Sequence, residues 1–205
     1  MNDGASNNRP AIFAPVMRAL NRAAVPSSDF DFDSTTRVPG RELRAAGVLV
    51  PLIERANGLQ MILTKRASHL KHHPGQIAFP GGKQDPGDRD AIDAALREAE
   101  EEIGLTRRKV DVLGVLPTHE TGTGFLMTPV LARVTEDFVP VPEAGEVEVV
   151  FEVPLAHVAD PARFVVQSRY WGGTLRQYFT VPYGPYYIWG ATARVLRSLA
   201  DRMGE

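Results

Sequence analysis

The alternation of apolar and polar positions changes character near Ala45. Before that point, residues 1 to about 40 are rich in Asn, Ser, Asp and Pro, apart from a short helical patch near Ala14 to Ala24. They read as an N-terminal arm, partly helical or flexible, packed on a domain spanning 41–205. Gly47-Val48-Leu49-Val50-Pro51-Leu52-Ile53 and Leu59-Gln60-Met61-Ile62-Leu63-Thr64 predict two apolar strands around the turn Ala56-Asn57-Gly58. A basic, histidine-bearing stretch from Lys65 to Gln76 follows, then Ile77-Ala78-Phe79-Pro80-Gly81-Gly82 and a turn-like segment from Lys83 to Asp90. Asp88 or Asp90 is placed to cap a helix over Ala91 to Ile103, and Gly104 is a natural stop for it. Further strands are predicted at Val110 to Leu116, Met127 to Val134 and Val147 to Val153, with a short helix at Leu155 to Val158. Two edge-like strands, Phe164 to Tyr170 and Thr174 to Thr180, precede a closing helix over Ile188 to Met203. Mixed strands with one central and one terminal helix indicate an α+β fold arranged as an α/β/α sandwich.

Composition narrows the chemistry. The chain has 205 residues, 43% hydrophobic and 23% charged, as expected of one ordinary globular domain with an extra tail. The absence of cysteine excludes disulfides, thiolate-bound zinc and cysteine nucleophiles, so any metal must be held by oxygen or imidazole. A formal net charge of -2 gives no electrostatic reason to expect nucleic acid or an anionic membrane as partner. No apolar run approaches the ~20 residues of a membrane span. Met1 to Pro10 lacks the basic-then-apolar layout of a secretory signal, so a cytoplasmic protein is expected.

The predicted helix carries the most pointed chemistry. At roughly 100° per residue, Glu98, Glu101 and Glu102 fall within about a third of its circumference. Ile92, Ala95, Leu96, Ala99 and Ile103 occupy a neighbouring arc suited to packing on a sheet, and Glu100 points elsewhere. Arg97 sits one turn before Glu101, where it can pair with that carboxylate. Like charges at i, i+3 and i+4 repel, and a helix gains nothing from them. A hard divalent cation removes the conflict, because Mg²⁺ takes oxygen ligands and adds substrate phosphates. A solvated acidic face is the competing account of the helix alone, and its neighbours decide between the two.

Those neighbours bring in a family. Gly82 followed by Arg97-Glu98-Ala99-Glu100-Glu101-Glu102-Ile103-Gly104-Leu105 resembles the Nudix box, G-x5-E-x7-R-E-U-x-E-E-x-G-U with U apolar. The second half matches at every specified position. In the first half Asp88 stands where a glutamate is expected, and eight residues rather than seven separate it from Arg97. Just upstream, Leu63-Thr64-Lys65-Arg66-Ala67, Lys71, Gly75 and Phe79-Pro80-Gly81-Gly82 resemble L-L-T-x-R-[SA]-x3-R-x3-G-x3-F-P-G-G. That signature belongs to Nudix hydrolases acting on coenzyme A. Ile62 replaces its first leucine, and Lys71 its second arginine, which loses the bidentate fork.

The resemblance implies a Nudix fold, with a mixed central sheet flanked by helices, and a metal-dependent pyrophosphohydrolase. Its cofactor would be Mg²⁺ or Mn²⁺ and its substrate coenzyme A or a derivative, split to 3',5'-ADP and 4'-phosphopantetheine; a homodimer is compatible with this. Glu98, Glu101 and Glu102 would ligate the metal, with a backbone carbonyl at Gly81 or Gly82, and Arg97 would orient the carboxylates. Glu146, in Pro142-Glu143-Ala144-Gly145-Glu146-Val147, is the candidate general base, and Glu143 its substitute. Arg66 and Lys71 would hold substrate phosphates, with Gly81 and Lys83 also against the substrate. His69, His72 and His73 have no zinc-like spacing. Thr121-Gly122-Thr123-Gly124 lacks a P-loop lysine and reads as a mobile loop near the site. Phe125 and Tyr187 are aromatic candidates for stacking on adenine, although aromatic side chains more often build cores. A Nudix hydrolase of another nucleoside diphosphate derivative, such as ADP-ribose, is the alternative. A non-catalytic nucleotide-sensing domain is a third reading, and the retained glutamates argue against it.

Overall fold

A computed structural model describes residues 10–171 and 173–204. In chain order it contains α1 (Ala14–Asn21), β1 (Ser27–Ser28), β2 (Arg44–Arg55), β3 (Gly58–Arg66), β4 (Ile77–Ala78), β5 (Gly81–Lys83) and α2 (Ala91–Ile103). Then come β6 (Val110–Val115), β7 (His119–Glu120), β8 (Phe125–Val134), β9 (Val147–Pro154), α3 (Leu155–Val158), β10 (Val165–Trp171), β11 (Thr174–Thr180) and α4 (Gly190–Gly204). Nine strands form one mixed sheet built around the parallel pair β2–β8, and β10–β11 form a separate antiparallel hairpin.

Strand β2 is apolar on both sides because both sides are covered. Val48, Val50 and Leu52 join a core with Phe13, Val16 and Ala19 of the N-terminal arm and Leu196 and Leu199 of α4. Leu49 and Ile53 join the opposite core, under Ala95, Ala99 and Ile103 of α2. The predicted arc of α2 is therefore the face that meets the sheet, and helices lie on both sides of it. Part of the arm belongs to this body: Phe13, Val16 and Ala19 are fully buried.

The sheet splits beside Pro51, and the split makes room for the site. On one side β2 pairs β8 without interruption. On its other side it pairs β5 through Ala46–Val48 and β3 through Leu52–Arg55, so no strand there asks Pro51 for the N–H it lacks. Ile77 to Lys83 fills the gap, with Ala78 paired to Thr64, Leu49 N–H donating to Pro80 O at 2.8 Å, and Gly82 opposite Gly47. Helix α2 then lies across β2. Its capping side chain is Asp90, which accepts the Asp93 N–H at 2.8 Å. Gly104 ends it in the left-handed conformation (φ 72°).

Candidate active site

The box arginine organises the near end of the acidic helix. Arg97 Nε and Nη2 donate to the two Asp88 oxygens at 3.0 and 2.9 Å. Its Nη1 reaches Glu98 Oε1 at 3.0 Å and Glu101 Oε2 at 2.9 Å, and Nη2 also meets Lys83 O at 3.2 Å. The Arg97 guanidinium holds the Asp88 carboxyl below the usual carboxylate range. Asp88, out of step with the box by one residue, thus serves as the fork's partner.

Glu98 and Glu102 are set differently. Glu102 is buried and accepts the Gly81 N–H at 3.0 Å, while Glu98 lies half-buried against Gly82. Burial pushes the Glu102 carboxyl up to about 7, with the Glu98 and Glu146 charges adding to the rise and Gly81 N–H and Arg66 opposing it. Burial also raises Glu98, helped by Glu101 and Glu146 and opposed by Arg97. Glu101 is mostly exposed and turned onto Arg97. Glu98 and Glu102 therefore lie against Gly81-Gly82 of β5, whereas Glu101 is exposed, and Arg97 Nη1 joins Glu98 to Glu101. Among the described residues no three His, Asp or Glu side chains gather into a ready metal cage. The donors nonetheless fit a hard cation: two desolvated, mutually repelling carboxylates suit an ion that takes one or two carboxylates and fills its remaining positions with water and phosphate oxygens.

Glu146 is exposed but near enough that its charge acts on both Glu98 and Glu102. Its loop is pinned over the end of α2 by Val141 N–H to Ile103 O at 3.0 Å and Glu143 N–H to Glu102 O at 2.9 Å. The Ala67 N–H donates to Glu146 O at 2.8 Å, which ties the same loop to the end of β3.

A cavity of about 480 Å³ opens beside Gly81, Gly82 and Lys83. Arg66 lines it, and its buried Nε has no hydrogen-bond partner. Lys71 is exposed and lies outside the lining, whereas His73, two residues on, lines it. Of the two aromatic candidates, one lines the cavity. Tyr187 is outside the lining and donates to Gln167 at 2.7 Å, and Phe125 lines the cavity but is covered by Arg44 at 4.0 Å. Phe32, Phe79, Tyr178, Phe179 and Trp189 also line it. The Thr121–Gly124 loop also lines the cavity, and it is tied down rather than loose: Gly122 N–H donates to Asp29 at 2.7 Å, and Arg41 donates to Gly122 O at 2.9 Å. Asp29 is in turn fixed by His119, which bridges it at 3.0 Å to Ser27 at 2.9 Å.

Residues that sequence reasoning missed come from the arm, the hairpin and α4, namely Asp29 and Phe32, Arg169 and Arg176, and Arg194. Nothing in their local sequence marks them, since they meet the cavity only through tertiary packing. No helix among the described residues is long and apolar enough to cross a membrane.

Comparison with known proteins bears on the family. Residues 43–171 match the family model described as NUDIX domain. The chain is similar to the Nudix hydrolase NudL of Escherichia coli K12, 40% identical over 161 residues, which cover 78% of this chain and 83% of the relative. The corresponding protein of Cronobacter sakazakii is 41% identical over 162 residues, covering 79% and 84%. Among solved structures, the Nudix hydrolase RenU of M. smegmatis aligns with a TM-score of 0.49 at 23% identity, over 60% of this chain and 83% of that one.

Proposed function

This chain belongs to the Nudix family of hydrolases, which split phosphorus-containing anhydrides, and from that premise we propose that it hydrolyses the pyrophosphate of coenzyme A or its derivatives. The products would be 3',5'-ADP and 4'-phosphopantetheine, or the acylated form of the latter. One observation carries the reading. Arg66, the arginine of the signature upstream of the box, lines the same cavity as Gly81 and Gly82 and keeps a buried Nε without a partner. Such a donor is costly to leave unmet and suits a phosphate oxygen.

Nudix hydrolases generally use divalent metals, and here Glu98 and Glu102, with a backbone carbonyl of Gly81 or Gly82, would hold Mg²⁺ or Mn²⁺. When bound, that ion supplies charge neutralisation to the pyrophosphate and lowers the pKa of water. Arg97 fixes the direction of the Glu98 and Glu101 carboxylates, and Asp88 fixes Arg97. Glu146 takes the proton of the attacking water, from a loop whose backbone is anchored on α2 and β3. Arg66 and Lys83 bind phosphate oxygens, and the aromatic wall offers faces to adenine. Lys71, exposed and away from the cavity, is left out of this assignment.

Steady-state turnover of coenzyme A, ADP-ribose and a dinucleoside polyphosphate under Mg²⁺ and under Mn²⁺ tests the substrate. A kcat/KM for coenzyme A at least tenfold above the others is expected. Coenzyme A cleaved no faster than ADP-ribose ends the claim. Undiminished turnover by Glu102→Gln would instead refute the metal assignment.

A further inference from the structure

The β10–β11 hairpin places two arginines directly opposite each other, Arg169 on β10 and Arg176 on β11. Cross-strand partners share a face, and like charges so opposed destabilise a hairpin. Both side chains line the cavity. Among the described residues no carboxylate lies within ion-pair distance of either, and the buried Nε of Arg176 has no hydrogen-bond partner. Asp29 and Asp33 are the carboxylates whose charge couples to Arg176. Asp29, however, is already committed to His119 and the Gly122 N–H, and Asp33 to Thr35. Arg194 shows the contrast: it lines the same cavity but is matched by Asp31 at 2.7 Å.

We propose that Arg169 and Arg176 form a second anion subsite, separate from the one at Arg66, that takes a phosphate monoester of the nucleotide. Arg176 also sits over the Phe30 ring at 5.9 Å, but a pair of forked cations without an ion-pair partner, facing a cleft, is a poor structural element and a good phosphate receptor. Arg66 lies on β3 within reach of the Glu102 charge, at the pyrophosphate end. Arg176 lies on β11, beyond the span matched by the family model. The ligand class is therefore a nucleotide with two separated phosphate groups, one in the scissile anhydride and one as a terminal monoester. Within the coenzyme A reading, on which this assignment builds, the monoester is the 3'-phosphate. The subsite would select coenzyme A over its dephosphorylated form.

Calorimetric titration of the full chain with 3',5'-ADP and with AMP isolates the subsite from catalysis. The two probes differ only in the monoester. The wild type is expected to bind 3',5'-ADP about 10- to 100-fold more tightly than AMP, the range of a charge-assisted hydrogen bond. Arg176→Gln is expected to bring that ratio within about threefold, with Arg176→Lys between the two. Arg169→Gln should reduce the ratio as well, and it carries the test if Arg176→Gln does not fold. A wild-type protein without the preference, or folded variants that retain it, overturns the proposal. The two readings fail separately. Coenzyme A turned over no faster than ADP-ribose, with the arginine-dependent preference intact, removes the substrate and leaves the subsite.

Discussion

Replacing Gly82 with alanine should inactivate the protein while leaving it folded. Gly82 does not use a left-handed backbone, so alanine can adopt its conformation. The added methyl would lie 2.5 Å from Glu98 Oε1, 2.6 Å from its Cδ and 2.8 Å from Oε2. These atoms end a flexible side chain, so the chain yields there rather than in its backbone. Restoring ordinary contact requires the carboxylate to retreat by about 1 Å, and a displacement of that size costs about 10²-fold in rate. The folding cost is that of an off-rotamer glutamate, about 0.5–1.5 kcal/mol, or a melting temperature lower by about 1–6 °C in a domain of this size. Gly81→Ala provides the contrast. Its φ is 152°, and its methyl would meet backbone, Gly47 O and Val48 Cα both at 2.5 Å, so it should unfold the protein. Thermal melts and single-turnover rates on the same samples check both variants. Gly82→Ala that keeps full turnover, or loses it only in proportion to the unfolded fraction, would refute the placement of Glu98 in the chemistry.

Other consequences follow from single contacts. Asp90→Ala removes the cap of α2 and should cost about 1 kcal/mol in urea unfolding, with turnover per folded molecule retained. Asp93 is held well below the usual carboxylate range, chiefly by Arg107 and then by Arg89. Its contribution to stability is thus complete above the unfolded value near 4 and lost as pH falls through the lower folded value. Asp93→Asn should lower the unfolding midpoint at pH 7 and flatten its acid decline, and an unchanged acid limb would exclude that pairing as its source. Glu146→Gln should lower kcat by about 10²–10⁴ with little change in KM. The same loss in Glu143→Gln, with Glu146→Gln active, would move the proton acceptor three residues upstream.

Local patterns carried most of the secondary structure. The run Gly47 to Ile53, the turn at Asn57-Gly58 and the apolar arc of α2 each specify one element by spacing alone, and the observed bounds extend them by a few residues at most. Spacing leaves the cap open, since Asp88 and Asp90 both have the right chemistry and only Asp90 reaches the Asp93 N–H in the folded chain. Short β1, β4, β5 and β7 were not legible, because two or three residues hold no period and become strands only beside a partner.

The sequence by itself determined the chemistry of the acidic helix. The types and spacing of Arg97, Glu98, Glu101 and Glu102 are local properties that a 3.6-residue turn converts into a face. Tertiary structure decided how that face is used. Arg97 ties Glu98 to the exposed Glu101, burial beside Gly81-Gly82 desolvates Glu98 and Glu102, and Asp88 becomes the arginine's anchor. It also decided the far wall of the cavity. Arg169 and Arg176 oppose each other only in the hairpin's register, and they meet Arg66 around one cavity only because the chain folds back some 100 residues later. Spacing encodes contacts along one element, whereas contacts between distant elements depend on how the sheet splits and what packs into the split.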